Sequence, residues 1–183
     1  MRNNNNVKKL VQSSILLAFA VILQLIGRNF VQINPLLIGP LISTIILLTT
    51  YICGLNYGIL ISILIPMSAI PLGALASPLI PFAPFIVIGN IVFAAGFAIV
   101  MKKGRSGLYL GVLLGTFVKV LFLSFSATKL IYMFKLGLSP QSAKMIGMAF
   151  TTPQIIISLL GGAVAIIVIE LLKRRKITNI NII

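Results

Sequence analysis

Acidic side chains are almost missing from this sequence. Glu170 is the one carboxylate side chain, set against 15 lysines and arginines in 183 residues. Paired-carboxylate acid–base chemistry and a carboxylate-held Mg²⁺ therefore have no residues to work with. Histidine is absent and Cys53 is the single cysteine, which argues against a metal centre, rules out an internal disulfide and removes the usual proton carrier near neutral pH. A membrane enzyme would need clustered Asp, Glu or His, so an enzymatic reading is disfavoured and no cofactor is implied. The phosphate-loop pattern G-x-x-x-x-G-K-[ST] does not occur, and any ATP hydrolysis would have to come from a partner. Tryptophan is absent as well, so no pocket here is built on indole stacking.

What is present is apolar. Hydrophobic residues make up 59%, charged residues 9%, and mean hydropathy is +1.16, a profile of a polytopic membrane protein rather than a soluble domain. A net charge of +14 would suggest nucleic acid in a soluble chain, but most of these cations flank apolar runs, where they set topology in a lipid bilayer. The expectation is an all-α integral membrane protein, one domain of six transmembrane helices and no nucleic-acid partner. The spans are placed at about 10–27, 36–53, 57–76, 82–101, 107–127 and 153–172.

In chain order, the basic start MRNNNNVKK leads into the first apolar run, which no A-x-A-like cleavage site follows. Arg28, Asn29, Gln32 and Asn34 form a short polar loop, and Gly54–Asn56 a tight turn. Pro66 and Pro71 interrupt the third segment and must kink or break it. Lys102, Lys103 and Arg105 mark a basic turn, while 128–152 reads as an amphipathic connection in which Ser139-Pro140 starts a helix. The N-terminal segment, the fourth-to-fifth turn and the C-terminal segment carry ten cations and the opposite loops four. By the positive-inside rule both termini are cytoplasmic.

Within the spans, Lys119 is the conspicuous residue. It lies near the middle of the fifth apolar run, where an ammonium costs at least about 2.5–3.5 kcal/mol and belongs in a cavity or beside a partner. Snorkelling to an interface along its own stem is the alternative. Gly115, Phe122 and Ser126 share its helix face and suggest a pocket wall. Gln24, Asn90 and Gln154 fall at a similar depth in the outer half, with Arg28 just above, so a pocket collecting two cations, three amides and the aromatics Phe85, Phe117, Phe122 and Tyr132 is expected there. Such a mix suits a small ligand bearing a carboxylate or phosphate; taken singly, Asn90 or Gln24 is better read as an interhelical hydrogen bond, and it is the shared depth that points to a pocket. In the cytoplasmic half, Ser14 and Ala18 form a small-xxx-small ridge suited to packing or to docking another membrane protein, and Gly161, Gly162 and Ala165 a ridge explained by packing within the chain. Glu170 is expected to pair with Arg174, four residues on.

The length, the six runs, the basic ends, the Ser14-xxx-Ala18 ridge and the run Gly39-Pro40 … Gly54-Leu55-Asn56-Tyr57-Gly58 … Pro66 … Pro84-Phe85 … Gly89-Asn90 resemble the substrate-binding S component of an energy-coupling factor (ECF) vitamin transporter. The resemblance covers nearly the whole chain and departs from the family pattern at Ser14, where alanine is usual. It implies a multi-pass subunit of a bacterial plasma-membrane ABC importer that captures a water-soluble vitamin or related micronutrient in an outward-facing pocket. It also implies delivery together with a transmembrane coupling protein and two cytoplasmic ATPases. On that reading Lys119 and Arg28 neutralise the ligand's anionic group. Asn90, Gln24 and Gln154 hydrogen-bond it, Phe85, Phe122 and Tyr132 supply apolar surface, and 27–35 and 71–83 gate the site. An acid such as pantothenate, folate, biotin or lipoate, or a phosphorylated vitamin, would fit two pocket cations. Ser14 and Ala18 would dock the coupling protein. The competing reading is a stand-alone small channel or permease, or a membrane assembly factor.

Overall fold

A computed structural model describes residues 2–29, 34–130, 133 and 140–175. Its elements are helices α1 (Arg2–Arg28), α2 (Asn34–Cys53), α3 (Leu55–Ala69), α4 (Ala83–Val100), α5 (Gly104–Phe125), α6 (Pro140–Ala149) and α7 (Thr152–Arg174). A 3₁₀ turn, Ser77–Phe82, leads into α4, and a π turn, Ser126–Leu130, ends α5. Four helical stretches, Asn4–Arg28, Ser77–Val100, Gly104–Lys129 and Ala143–Arg174, are long and apolar enough to cross a membrane, and Leu37–Cys53 and Leu55–Ala69 are shorter apolar helices. The described residues form helices and turns with no strand among them, the build of an all-α membrane protein.

The centre of the bundle is α2, which is buried from Ser43 to Tyr51 because it is largely apolar and its threonine hydroxyls bond to its own backbone. Thr49 and Thr50 donate to the Ile45 and Ile46 carbonyls, both at 2.8 Å, the arrangement that lets a helix bury threonine without orphaning it. The Thr44 hydroxyl, 2.9 Å from both the Pro40 and the Gly161 carbonyl oxygens, ties α2 to α7 where Pro40 interrupts the regular ladder. Gly54, at φ +100°, reverses the chain between α2 and α3, a conformation that suits glycine.

Two apolar clusters fill the bundle. The larger joins Ile45–Leu48 of α2 to Phe93, Phe97, Leu108, Val112, Ile166 and Ile169. The smaller, Phe82, Leu123, Ala127, Ala143, Ile146 and Phe150, caps the opposite end with Phe85 and Phe122 packed on it. Pro66 is accommodated inside α3, and the helix stops at Ala69, short of the expected 76, because Pro71 follows at once in a turn. The sequence also pairs Glu170 with Arg174. In the structure the carboxylate instead meets Arg105 of α5, with Nε and Nη2 donating to Oε1 and Oε2 at 2.8 and 3.2 Å. A bidentate guanidinium contact across two helices competes well with an i,i+4 pair along one.

Candidate functional site

Between the clusters lies a cavity of about 260 Å³ reached by every long element. Gln24 of α1, Ser43 of α2, Pro66 of α3, Asn90 of α4, Lys119 of α5 and Gln154 of α7 all line it, and Ala74, Leu75 and Leu79 of the connection after α3 close one side. Phe150 closes another. The polar residues arrive together because the bundle turns the helix faces that carry them inward.

Lys119 is 3% exposed, and its Nζ stands 4.8 Å from the centroid of the Phe93 ring. The cation–π contact offsets part of the desolvation of an ammonium. No carboxylate is available to complete the neutralisation, since the one acidic side chain, Glu170, is engaged by Arg105. Asn90 and Gln154 are buried to 5% and 8% exposure and face the same cavity; among the described residues neither amide forms a hydrogen bond. Gln24 is placed differently. Its Nε2 donates to the Ile65 carbonyl at 2.9 Å and its Oε1 accepts from the Ser68 hydroxyl at 3.0 Å, so this amide fastens α1 to α3 while lining the wall.

The expected site is therefore only partly assembled. Lys119, Asn90, Gln154 and Gln24 converge. Arg28 does not: it is exposed at the end of α1, and its Nη1 donates to the Leu72 carbonyl at 3.2 Å, joining α1 to the connection that covers the cavity. Phe117 is 62% exposed and points away from the bundle, because it sits two residues from Lys119 and hence on the opposite side of α5. Phe85 stacks on Phe82 at 5.2 Å between centroids, and both Phe85 and Phe122 pack into the capping cluster rather than lining the void. Tyr132 lies outside the described residues. Sequence reasoning missed Ser43 and Phe93. Phe93 carried a signal, for it lies three residues after Asn90 on the same inward face; Ser43 carried none.

Ser14 and Ala18 are exposed, and the Ser14 hydroxyl donates to the Leu10 carbonyl at 2.9 Å. They belong to a peripheral helix, since α1 buries less of its apolar length than the other three long spans.

This is the architecture of a membrane protein with a small, mostly apolar chamber lined by a buried lysine that has no carboxylate partner and, among the described residues, by two amides without hydrogen bonds. In comparison with protein families, residues 8–173 match the ECF transporter, substrate-specific component. The chain belongs to that family. Comparison with curated proteins gives no match, and comparison with solved structures gives none. As an ECF substrate-specific component the protein is a substrate-binding subunit of a transporter, not an enzyme, and it works within a membrane-embedded transporter complex that carries a small molecule. The chamber among α1–α5 and α7 is the natural candidate for that small molecule, since it combines enclosure, apolar walls and a few convergent polar groups.

Proposed function

We propose that this S component captures a water-soluble vitamin or related micronutrient carrying a carboxylate or phosphate, and holds it in the chamber around Lys119. The observation that carries the reading is the Lys119 side chain, buried at 3% exposure in a chain whose one acidic side chain is committed elsewhere. A buried ion is stable only when paired, and the ligand's anion supplies the missing charge. Asn90 and Gln154 add directional hydrogen bonds, Phe150 supplies apolar surface, and Phe93 backs Lys119 from within the core. At about 260 Å³ the chamber falls just below the usual 300–1,000 Å³ of pockets for drug-sized ligands, which favours a compact substrate. Arg28 takes the role of a strap over the entrance through Leu72.

The same reading makes the chain a single domain of six spans in a bacterial plasma membrane, α2 and α3 included, with both termini cytoplasmic. The chamber then opens outward, beneath the 71–83 connection. Ser14 and Ala18 lie on the open face of α1, where a transmembrane coupling protein bearing two cytoplasmic ATPases would dock.

The deciding experiment is native mass spectrometry of the detergent-purified protein from a host that makes its own vitamins. A single co-purified small molecule, lost in Lys119→Met and kept in Phe117→Ala, is expected. A spectrum that stays empty through a thermal-shift screen of vitamins would overturn the proposal that this chamber holds a vitamin-like anion.

A further inference from the structure

A second hollow lies on the membrane-facing seam between α5 and α7, at the end of the bundle remote from Arg28. It encloses about 330 Å³ and runs between Leu113 and Val112 on α5 and Leu159, Ala163 and Ile167 on α7, down to Tyr109 and Glu170. The dent exists because Ala163 is small where its neighbours along the helix face, Leu159 and Ile167, are large. Packing beside it is tight, since Gly162 has room for no side chain against Val112. Leu113 and Ile167 are 56% and 59% exposed, so the hollow opens to hydrocarbon.

Its length and its charged end identify the occupant. From Leu159 to Glu170 the seam extends eleven residues of α7, roughly 16 Å at 1.5 Å per residue, the depth of one leaflet of a bilayer core about 30 Å thick. At its end the Arg105–Glu170 pair is open to the surroundings, with Arg105 72% exposed, and Tyr109 directs its hydroxyl at Glu170 Oε1 from 3.4 Å. Arg174 is exposed one turn beyond Glu170 on the same face, and Lys103 and Arg175 are exposed nearby. The local charge is positive despite the carboxylate. An apolar channel one leaflet deep, ending at Tyr109 and Glu170 with the exposed Arg105 and Arg174 beside them, matches an acyl chain joined to an anionic head group, and basic pockets between transmembrane helices are known for such recognition.

We infer that the α5–α7 seam is a binding site for one anionic phospholipid, its acyl chain in the hollow over Ala163 and its phosphate at Arg105 and Arg174. The site is separate from the Lys119 chamber and independent of what that chamber binds. Glu170 competes with the phosphate for Arg105, which gives the proposal a signed test.

Full-length protein in mild detergent is exchanged with phosphatidylglycerol or with phosphatidylcholine of the same chains, and retained lipid is counted by native mass spectrometry. One phosphatidylglycerol should be retained at least tenfold better than phosphatidylcholine. Arg174→Gln and Arg105→Gln should each reduce its retention several-fold, Glu170→Gln should raise it, and Ala163→Phe should abolish it by filling the hollow. Equal retention of the two lipids would overturn the inference. So would a fall in Glu170→Gln matching that in Arg105→Gln, the mark of a merely structural ion pair. Loss of coupling-protein assembly in Ala163→Phe with lipid retention unchanged would reassign the seam to a protein partner and overturn it equally. If Ala163→Phe does not fold, the opposite signs expected for Glu170→Gln and Arg174→Gln decide the matter.

Discussion

Four polar side chains in the chamber do different work, and single substitutions separate them. Lys119→Met removes a buried charge that has no carboxylate partner, so folding should be unimpaired and thermal stability of the empty protein equal or higher. Ligand affinity, measured by calorimetry or thermal shift, should fall by orders of magnitude. Asn90→Leu and Gln154→Leu remove amides without hydrogen bonds among the described residues, so they too should weaken binding while sparing the empty fold. Gln24→Leu should do the reverse. It breaks the bonds to Ile65 and Ser68 and should cost about 0.6–1.7 kcal/mol of stability, the range measured for interhelical hydrogen bonds in membranes, with a smaller effect on affinity than Asn90→Leu. Equal loss of affinity in both variants would place the Gln24 amide on the ligand.

At the scale of helices, close approach is the governing feature. A side chain on Gly96 would begin 2.9 Å from the Gly115 Cα, and one on Gly115 would begin 2.7 Å from the Phe93 carbonyl oxygen. Both obstacles are backbone. Gly115→Leu must therefore push α4 from α5, at a cost of about 1–3 kcal/mol or more, and it displaces Phe93 from under Lys119. A drop in melting temperature together with lost binding is expected, whereas Phe117→Ala on the exposed side of the same helix should change neither. On α1 the expectation is different because its ridge is bare. Ala18→Trp alters nothing inside the bundle, so the protein should fold and bind ligand normally but fail to co-purify with a coupling protein and ATPases. Undiminished co-purification would remove Ser14 and Ala18 from the docking surface.

At the scale of the whole molecule, the ends of the bundle differ in charge. The α1 N-terminus touches α3 through Tyr57, whose hydroxyl donates to the Asn6 carbonyl at 3.2 Å, and Lys173 stands over Tyr51 at 5.4 Å. The start of α1, the α2–α3 turn and the basic end of α7 therefore share one end, which agrees with the proposed six spans. In a Cys53→Ser background, Ser77→Cys should react with an impermeant maleimide in intact cells, and Ser106→Cys only after permeabilisation. The opposite pattern would invert the topology. The all-helical, apolar build of the described residues and the transporter family were legible in the sequence, because hydropathy reports directly on which segments can sit in lipid. The intramembrane position of Lys119 was legible for the same reason, as was its convergence with Asn90 and Gln154 at one depth. The fates of Arg28, Phe117, Phe85 and Glu170 were not. Depth along a helix follows from counting residues, but the direction a side chain faces depends on which neighbours surround that helix. Only the packed bundle turned Phe117 outward, set Phe93 beneath Lys119, gave Arg28 to the Leu72 carbonyl and carried Glu170 across to Arg105, because each of these contacts joins residues distant in sequence whose meeting no local pattern encodes.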